Sequence, residues 1–149
     1  MSCSRPGFSL VELMIVVAVI SILAAIAIPN IISMQLKARR SEVPATIDGI
    51  RACETAYELV FNDFVTTPTS PREDALLDKK LAPWLTSPEW TRLGYQPSGD
   101  VRGNYTVLAT PKDFIVYGHA DVDDDGEIVV YTGTRELPAA VAPAFEGVF

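Results

Sequence analysis

The sequence predicts an α+β protein in which one long N-terminal helix, membrane-spanning in its first half, packs its second half on a small antiparallel sheet. Three observations predict it. A predominantly apolar run occupies residues 8–28, an apolar stripe at helical spacing follows it, and three segments rich in β-branched and aromatic residues lie near the C-terminus. The 149 residues suffice for one domain of ordinary size. Hydrophobic residues make up 48% of the chain, which excludes an acidic disordered tail. A net charge of −7 repels a phosphate backbone and disfavours nucleic acid as a partner. Cys3 and Cys53 cannot form a disulfide framework, and a single histidine, His119, gives poor material for a triad or a multi-histidine metal site.

From Phe8 to Ile28 the chain reads F-S-L-V-E-L-M-I-V-V-A-V-I-S-I-L-A-A-I-A-I, with only Ser9, Glu12 and Ser21 polar. At ~1.5 Å per residue this spans roughly 30 Å, the thickness of bilayer hydrocarbon. A secretory signal cleaved after Ala25-Ile26-Ala27 is the ordinary alternative, but the core is long for one and carries a carboxylate near its start. An ionised carboxylate in a membrane helix costs up to ~2.5–3.5 kcal/mol at the bilayer centre, so Glu12 either tolerates the membrane edge or marks a partner. A cut between Gly7 and Phe8 would create an α-amino group four residues, roughly 6 Å along a helix, from that carboxylate. Such an amine, on the same chain or a neighbour, would neutralise it.

Pro29 predicts a kink or local unwinding, because it lacks an N–H and clashes with the preceding turn. Beyond it, Val43, Ile47, Ile50, Cys53, Tyr57, Val60 and Phe64 step by three or four, while Lys37, Arg40, Glu42, Asp48, Arg51, Glu54 and Glu58 lie largely off the stripe. The helix is therefore expected from Phe8 to about Phe64, roughly 85 Å if straight. Cys53 reads as a small core hydrophobe. Residues 65–103 read as a long connection with one short helix opened by Pro71-Arg72-Glu73-Asp74 and running to about Leu81. Trp84 and Trp90 are expected to pin this connection to the core. Strands are expected over Asn104–Thr110, Asp113–His119 and Glu127–Thr132, with His119 a strand residue. The segment from Arg135 to Phe149 covers a sheet edge or meets a neighbour.

Between the last two strands lies D-V-D-D-D-G-E. Asp121, Asp123 and Asp125 alternate, Gly126 permits a sharp turn, and Glu127 adds a further oxygen ligand. The spacing matches the first half of an EF-hand loop, but Thr132 stands where a bidentate Glu is needed, so an EF-hand is rejected. A weaker Ca2+ site on a hairpin and a solvated Asp-Gly turn both remain open at this point. No other cofactor is expected.

The segment R-P-G-F-S-L-V-E-L-M-I-V-V, Arg5 to Val17, with A-A-I-A-I-P-N from Ala24 to Asn30, resembles the class III signal of type IV pilins and type II secretion pseudopilins. The resemblance is strong over about the first 35 residues and a pattern only over the next 30. It implies a leader of residues 1–7, cleavage after Gly7, N-methylation of Phe8, and pairing of Glu12 with a neighbouring amino terminus. It divides the rest into a filament-core and membrane half, 8–36, an amphipathic half, 37–64, and a head, 65–149. The function implied is a structural subunit, stored in the inner membrane with its body periplasmic and polymerised by helix packing, with a type II secretion pseudopilin as the alternative. Its partners would be other pilins in a homo- or hetero-polymer, the prepilin peptidase and methyltransferase, an inner-membrane assembly platform, and the lipid bilayer before assembly. A count of cations conflicts with that orientation, since Lys37, Arg39 and Arg40 follow the span and only Arg5 and the start amine precede it. A membrane-anchored calcium-dependent binding domain is a more distant reading, and enzyme activity is not expected.

Overall fold

The computed structural model describes residues 7–71, 81–122 and 126–143. The chain divides into two compact units, Met1–Gln35 and Leu36–Phe149. Helix α1, Leu10–Arg40, makes up most of the first and runs on into the second. It starts two residues later than expected because Ser9 caps it. The Ser9 hydroxyl accepts the Val11 N–H at 3.3 Å, and the Glu12 carboxylate reaches back to accept the Ser9 N–H at 3.1 Å. This is the reciprocal arrangement of a capping box, and the S-L-V-E spacing encodes it.

Of the two outcomes expected at Pro29, a kink or local unwinding, the unwinding is not found, because helical structure continues without interruption across it. A long apolar helix loses one backbone bond at a proline and retains the turns on both sides, which is why such residues occur within membrane helices. No residue of α1 is buried within the chain.

In the second unit, Ser41 separates α1 from α2, Glu42–Phe61, yet its N–H still bonds to the Lys37 carbonyl at 3.1 Å. Helix α2 ends three residues earlier than expected. Asn62 turns left-handed at φ 52° and donates its N–H to the Glu58 carbonyl, so Phe64 enters the core from beyond the helix. Asparagine tolerates that conformation better than most residues.

Five strands, β1 Thr67–Ser70, β2 Asn104–Ala109, β3 Phe114–Ala120, β4 Val129–Thr134 and β5 Ala140–Val141, form an antiparallel sheet in chain order. The three expected strands are present within two residues of their expected ends. Strands β1 and β5 were not anticipated. Pro68 argues against a central strand, but β1 lies at the edge, where a missing N–H is tolerated. Strand β5 has two residues and owes its existence to pairing with Tyr131 and Thr132. The buried face of β3 carries Phe114, Val116, Gly118 and Ala120, and that of β4 carries Val129, Tyr131 and Gly133.

Helix α2 lies on this face. A Cβ on Gly118 would stand 2.7 Å from Ile47 Cδ1, and one on Gly133 would stand 2.7 Å from Ile47 Cγ2. The two glycines therefore set how closely the helix approaches the sheet. The stripe that meets the sheet is Val43, Ile47, Ile50, Glu54 and Tyr57, a strict alternation of four and three. This corrects the expected stripe at two positions. Val60 is 73% exposed, whereas Glu54, expected on the outer face, is fully buried.

A short helix α3, Pro88–Leu93, fills the connection. Ser87 caps it through the Trp90 N–H, Pro88 opens it, and Gly94 closes it at φ 76°. Trp90 is fully buried and donates its indole N–H to the Pro68 carbonyl at 3.0 Å. Trp84 packs edge-on to Trp90 at 4.8 Å and to Tyr95 at 5.7 Å, so both tryptophans pin the connection as expected. The helix expected from Pro71 to Leu81 falls almost entirely outside the described residues.

Candidate functional site

The residues singled out for processing and assembly sit at the start of α1. Gly7 and Phe8 precede the helix and are exposed, Phe8 to 73%. Glu12 lies in the first helical turn, where a negative charge meets the positive end of the backbone dipole. Its bond to the Ser9 N–H gives the carboxylate a partner inside its own chain. Removal of residues 1–7 would leave Ser9 and Glu12 in place, so this cap is compatible with a chain beginning at Phe8.

After the cap, the surface of α1 is apolar on all sides. Leu10 is 80% exposed, Val16 45% and Ile26 69%, and the apolar window is long enough to cross a membrane. Exposure of this kind is unfavourable in water by ~25 cal/mol per Å2 of apolar surface. A helix of this composition requires lipid or other helices around it.

The body presents a different chemistry. Cys53 is half-buried against the core, and burial, then the neighbouring Glu54 carboxylate, raise its thiol above the ordinary range. It is a packing residue and a poor nucleophile. His119 lies in β3, paired with Asn104 and Val130, and burial lowers its pKa. Glu42 accepts the Arg102 backbone N–H at 2.8 Å and meets its side chain at 3.6 Å. Arg51 ties α2 to the sheet, donating to the Thr134 carbonyl at 2.6 Å and to Asp48 at 2.7 Å, and Asp48 also accepts the Ala139 N–H at 3.0 Å.

Glu54 is the body's unexpected ionisable group. Its Oε2 accepts the Val65 N–H at 3.1 Å, while its Oε1 is buried without a hydrogen-bond partner. Burial chiefly, with Asp63 adding repulsion against the opposing Val65 bond, pushes its pKa up to about 7. Its charge places it off the apolar stripe in sequence, but the four-three alternation through Ile50 and Tyr57 passes directly through position 54.

Of the expected calcium ligands, Asp121 is buried and its Oδ2 accepts the Gly126 N–H at 3.1 Å, with Gly126 at φ 88°. Glu127 is exposed. Asp123 and Asp125 lie outside the described residues. Among the described residues, no three His, Cys, Asp or Glu side chains stand close enough together to hold a metal ion.

Comparison with known proteins agrees with the N-terminal geometry. Residues 4–28 match the prokaryotic N-terminal methylation motif. The type IV major pilin protein PilA of Myxococcus xanthus is 47% identical over 51 residues, 34% of this chain and 23% of that protein. The type II secretion system core protein G of Escherichia coli is 27% identical over 124 residues, 82% of this chain and 83% of that protein. The type IV major pilin protein PilE1 of Neisseria gonorrhoeae is 39% identical over 126 residues, 85% of this chain and 48% of that protein. This chain thus spans about a quarter of the first relative's length and about half of the third's. No solved structure matches it significantly. With a methylation motif at its start, a bare apolar helix after it and an antiparallel sheet against the second helix, the chain is similar to type IV pilins and type II secretion pseudopilins.

Proposed function

We propose that the chain is a structural subunit of a type IV pilus or a pilus-like filament. It is cleaved after Gly7 and methylated on Phe8 by a prepilin peptidase and methyltransferase. It is stored in the inner membrane with its body in the periplasm, and an inner-membrane assembly platform polymerises it with other pilins. The observation that carries this reading is that none of the 31 residues of α1 is buried within its own chain. An all-round apolar helix is as well accommodated among like helices as in lipid, so transfer from membrane to filament costs little. The role is structural, with no catalytic step.

Glu12 has the part of setting register. In the stored subunit it accepts the Ser9 N–H. In the filament its carboxylate pairs with the methylated amino terminus of a neighbour, and a desolvated charge pair fixes position more than it adds stability. Glu12→Gln is expected to leave the protein in the membrane fraction and to stop or sharply reduce filament assembly. Normal filaments from this variant would refute the pairing. Mass spectrometry of the mature protein checks the processing step: the expected mass lacks Met1 to Gly7 and carries one added methyl.

One observation favours the pseudopilin alternative, in which the filament is a short periplasmic one serving type II secretion. The match to core protein G covers 83% of that protein, whereas the matches to PilA and PilE1 cover 23% and 48% of those proteins. Deletion of the gene separates the two readings. Loss of surface fibres supports the pilus, and loss of secreted enzymes with fibres intact supports the secretion filament.

Calcium at the turn between β3 and β4 is a further part of the proposal. Asp121 and Glu127 stand at the two ends of the D-V-D-D-D-G-E loop with Asp123 and Asp125 between them, and five carboxylates in seven positions favour a counter-ion.

A further inference from the structure

The end of α1 carries charges that neither the fold nor the assembly reading uses. Lys37, Arg39 and Arg40 follow the last large exposed apolar side chain of α1, Met34. No acidic residue lies between Glu12 and Glu42. Glu42, the one carboxylate within helical reach of Arg39, is engaged by Arg102. Lys37 is exposed and Arg39 partly so, and neither makes an ion pair among the described residues. Arg40, by contrast, lies within electrostatic reach of Tyr131 in β4.

The spacing along the helix is informative. Glu12 and Lys37 are 25 residues apart in the sequence, which corresponds to roughly 38 Å at helical rise. That exceeds the ~30 Å hydrocarbon core of a bilayer and falls just short of the ~40–45 Å that includes both headgroup layers. When Glu12 stands at one headgroup layer, Lys37 and Arg39 stand at the other. Their flexible stems can lie along the apolar helix while the charged ends reach phosphate.

We propose that Lys37 and Arg39 form a cationic collar that binds the phosphates of anionic lipids at the membrane interface and so sets the depth of the stored helix. The inference rests on the membrane-storage part of the function proposed above. It does not depend on which side of the membrane the collar occupies. Lipid is favoured over a second copy of the chain because the position of the collar matches a headgroup layer. A carboxylate on a neighbour would supply similar charge with no such constraint on its distance from Glu12.

The test uses the full chain in dodecyl maltoside micelles, with phosphatidylglycerol or phosphatidylcholine of the same acyl chains added at equal fraction. Bound lipid is counted by native mass spectrometry. Near a membrane surface each cation strengthens attachment to anionic lipid roughly fivefold, so the pair is expected to favour phosphatidylglycerol by about 30-fold. Lys37→Gln with Arg39→Gln is expected to bring that preference close to parity at unchanged helix content by circular dichroism, and Lys37→Arg is expected to retain it. An undiminished preference in the double variant overturns the collar. So does abolition of the preference by millimolar inorganic phosphate, which would indicate a free-anion site. Absence of preference in the parent chain, with filaments lost in the double variant, also overturns it and assigns the cations to a neighbouring copy. Flotation of both proteins with phosphatidylcholine vesicles keeps the two readings apart: failure to float refutes membrane storage itself, whereas flotation without lipid preference refutes only the collar.

Discussion

Replacing Glu54 by Gln should make the body more stable above neutral pH and leave it almost unchanged in acid. Glu54 is fully buried, one oxygen serves the Val65 N–H, and the other has no hydrogen-bond partner. Its pKa rises from 4.5 to about 7, so the native state holds this proton more tightly than the unfolded chain does. The contribution to stability is therefore complete below about pH 4.5 and is lost as pH rises through about 7. At ~1.4 kcal/mol for each pH unit the loss reaches roughly 3 kcal/mol, or about 2 kcal/mol once relaxation and water penetration around the ionised carboxylate are allowed for. Gln keeps the acceptor for Val65 and removes the charge. Urea unfolding of the detergent-solubilised full chain, followed by fluorescence of buried Trp90, reads the effect. The variant should gain about 2 kcal/mol over the parent at pH 8.5 and less than about 0.5 at pH 4.5. Equal stabilities at pH 8.5, or a parent whose stability rises from pH 5 to 8, would refute the reasoning.

Three further outcomes are expected. Gly118→Ala would place a methyl 2.7 Å from Ile47 Cδ1 and should cost about 1–3 kcal/mol in thermal or urea unfolding, with part of the loss recovered by adding Ile47→Val. Arg51→Ala removes the bond to the Thr134 carbonyl that fastens α2 to β4 and should cost about 2 kcal/mol; a loss under about 0.5 kcal/mol would show that the bond contributes nothing net. Melts of the protein in millimolar calcium should exceed those in chelator, by about 1.4 kcal/mol of stabilisation at tenfold excess over the dissociation constant, and equal melting temperatures would remove the site.

What the sequence by itself determined follows from features that are local and repeated. The apolar run, the methylation motif over residues 4–28 and the position of Glu12 are contiguous in the chain, and a span needs only length and hydropathy to be recognised. Strands β2, β3 and β4 each alternate or carry β-branched and aromatic residues over six or seven positions, enough to show a period of two. Two motifs were present but unread: the S-L-V-E capping box at Ser9, and Ser87-Pro88 before α3 with Gly94 after it.

Tertiary structure alone decided the rest. Strands β1 and β5 are too short to show a period and exist because a neighbouring strand offers unpaired backbone groups. The burial of Glu54 depends on how α2 is rotated on the sheet, which Gly118 and Gly133 set by allowing Ile47 to sit close. A carboxylate and an apolar stripe one position apart look alike in sequence, and only contact with the opposite layer determines which of them leaves water.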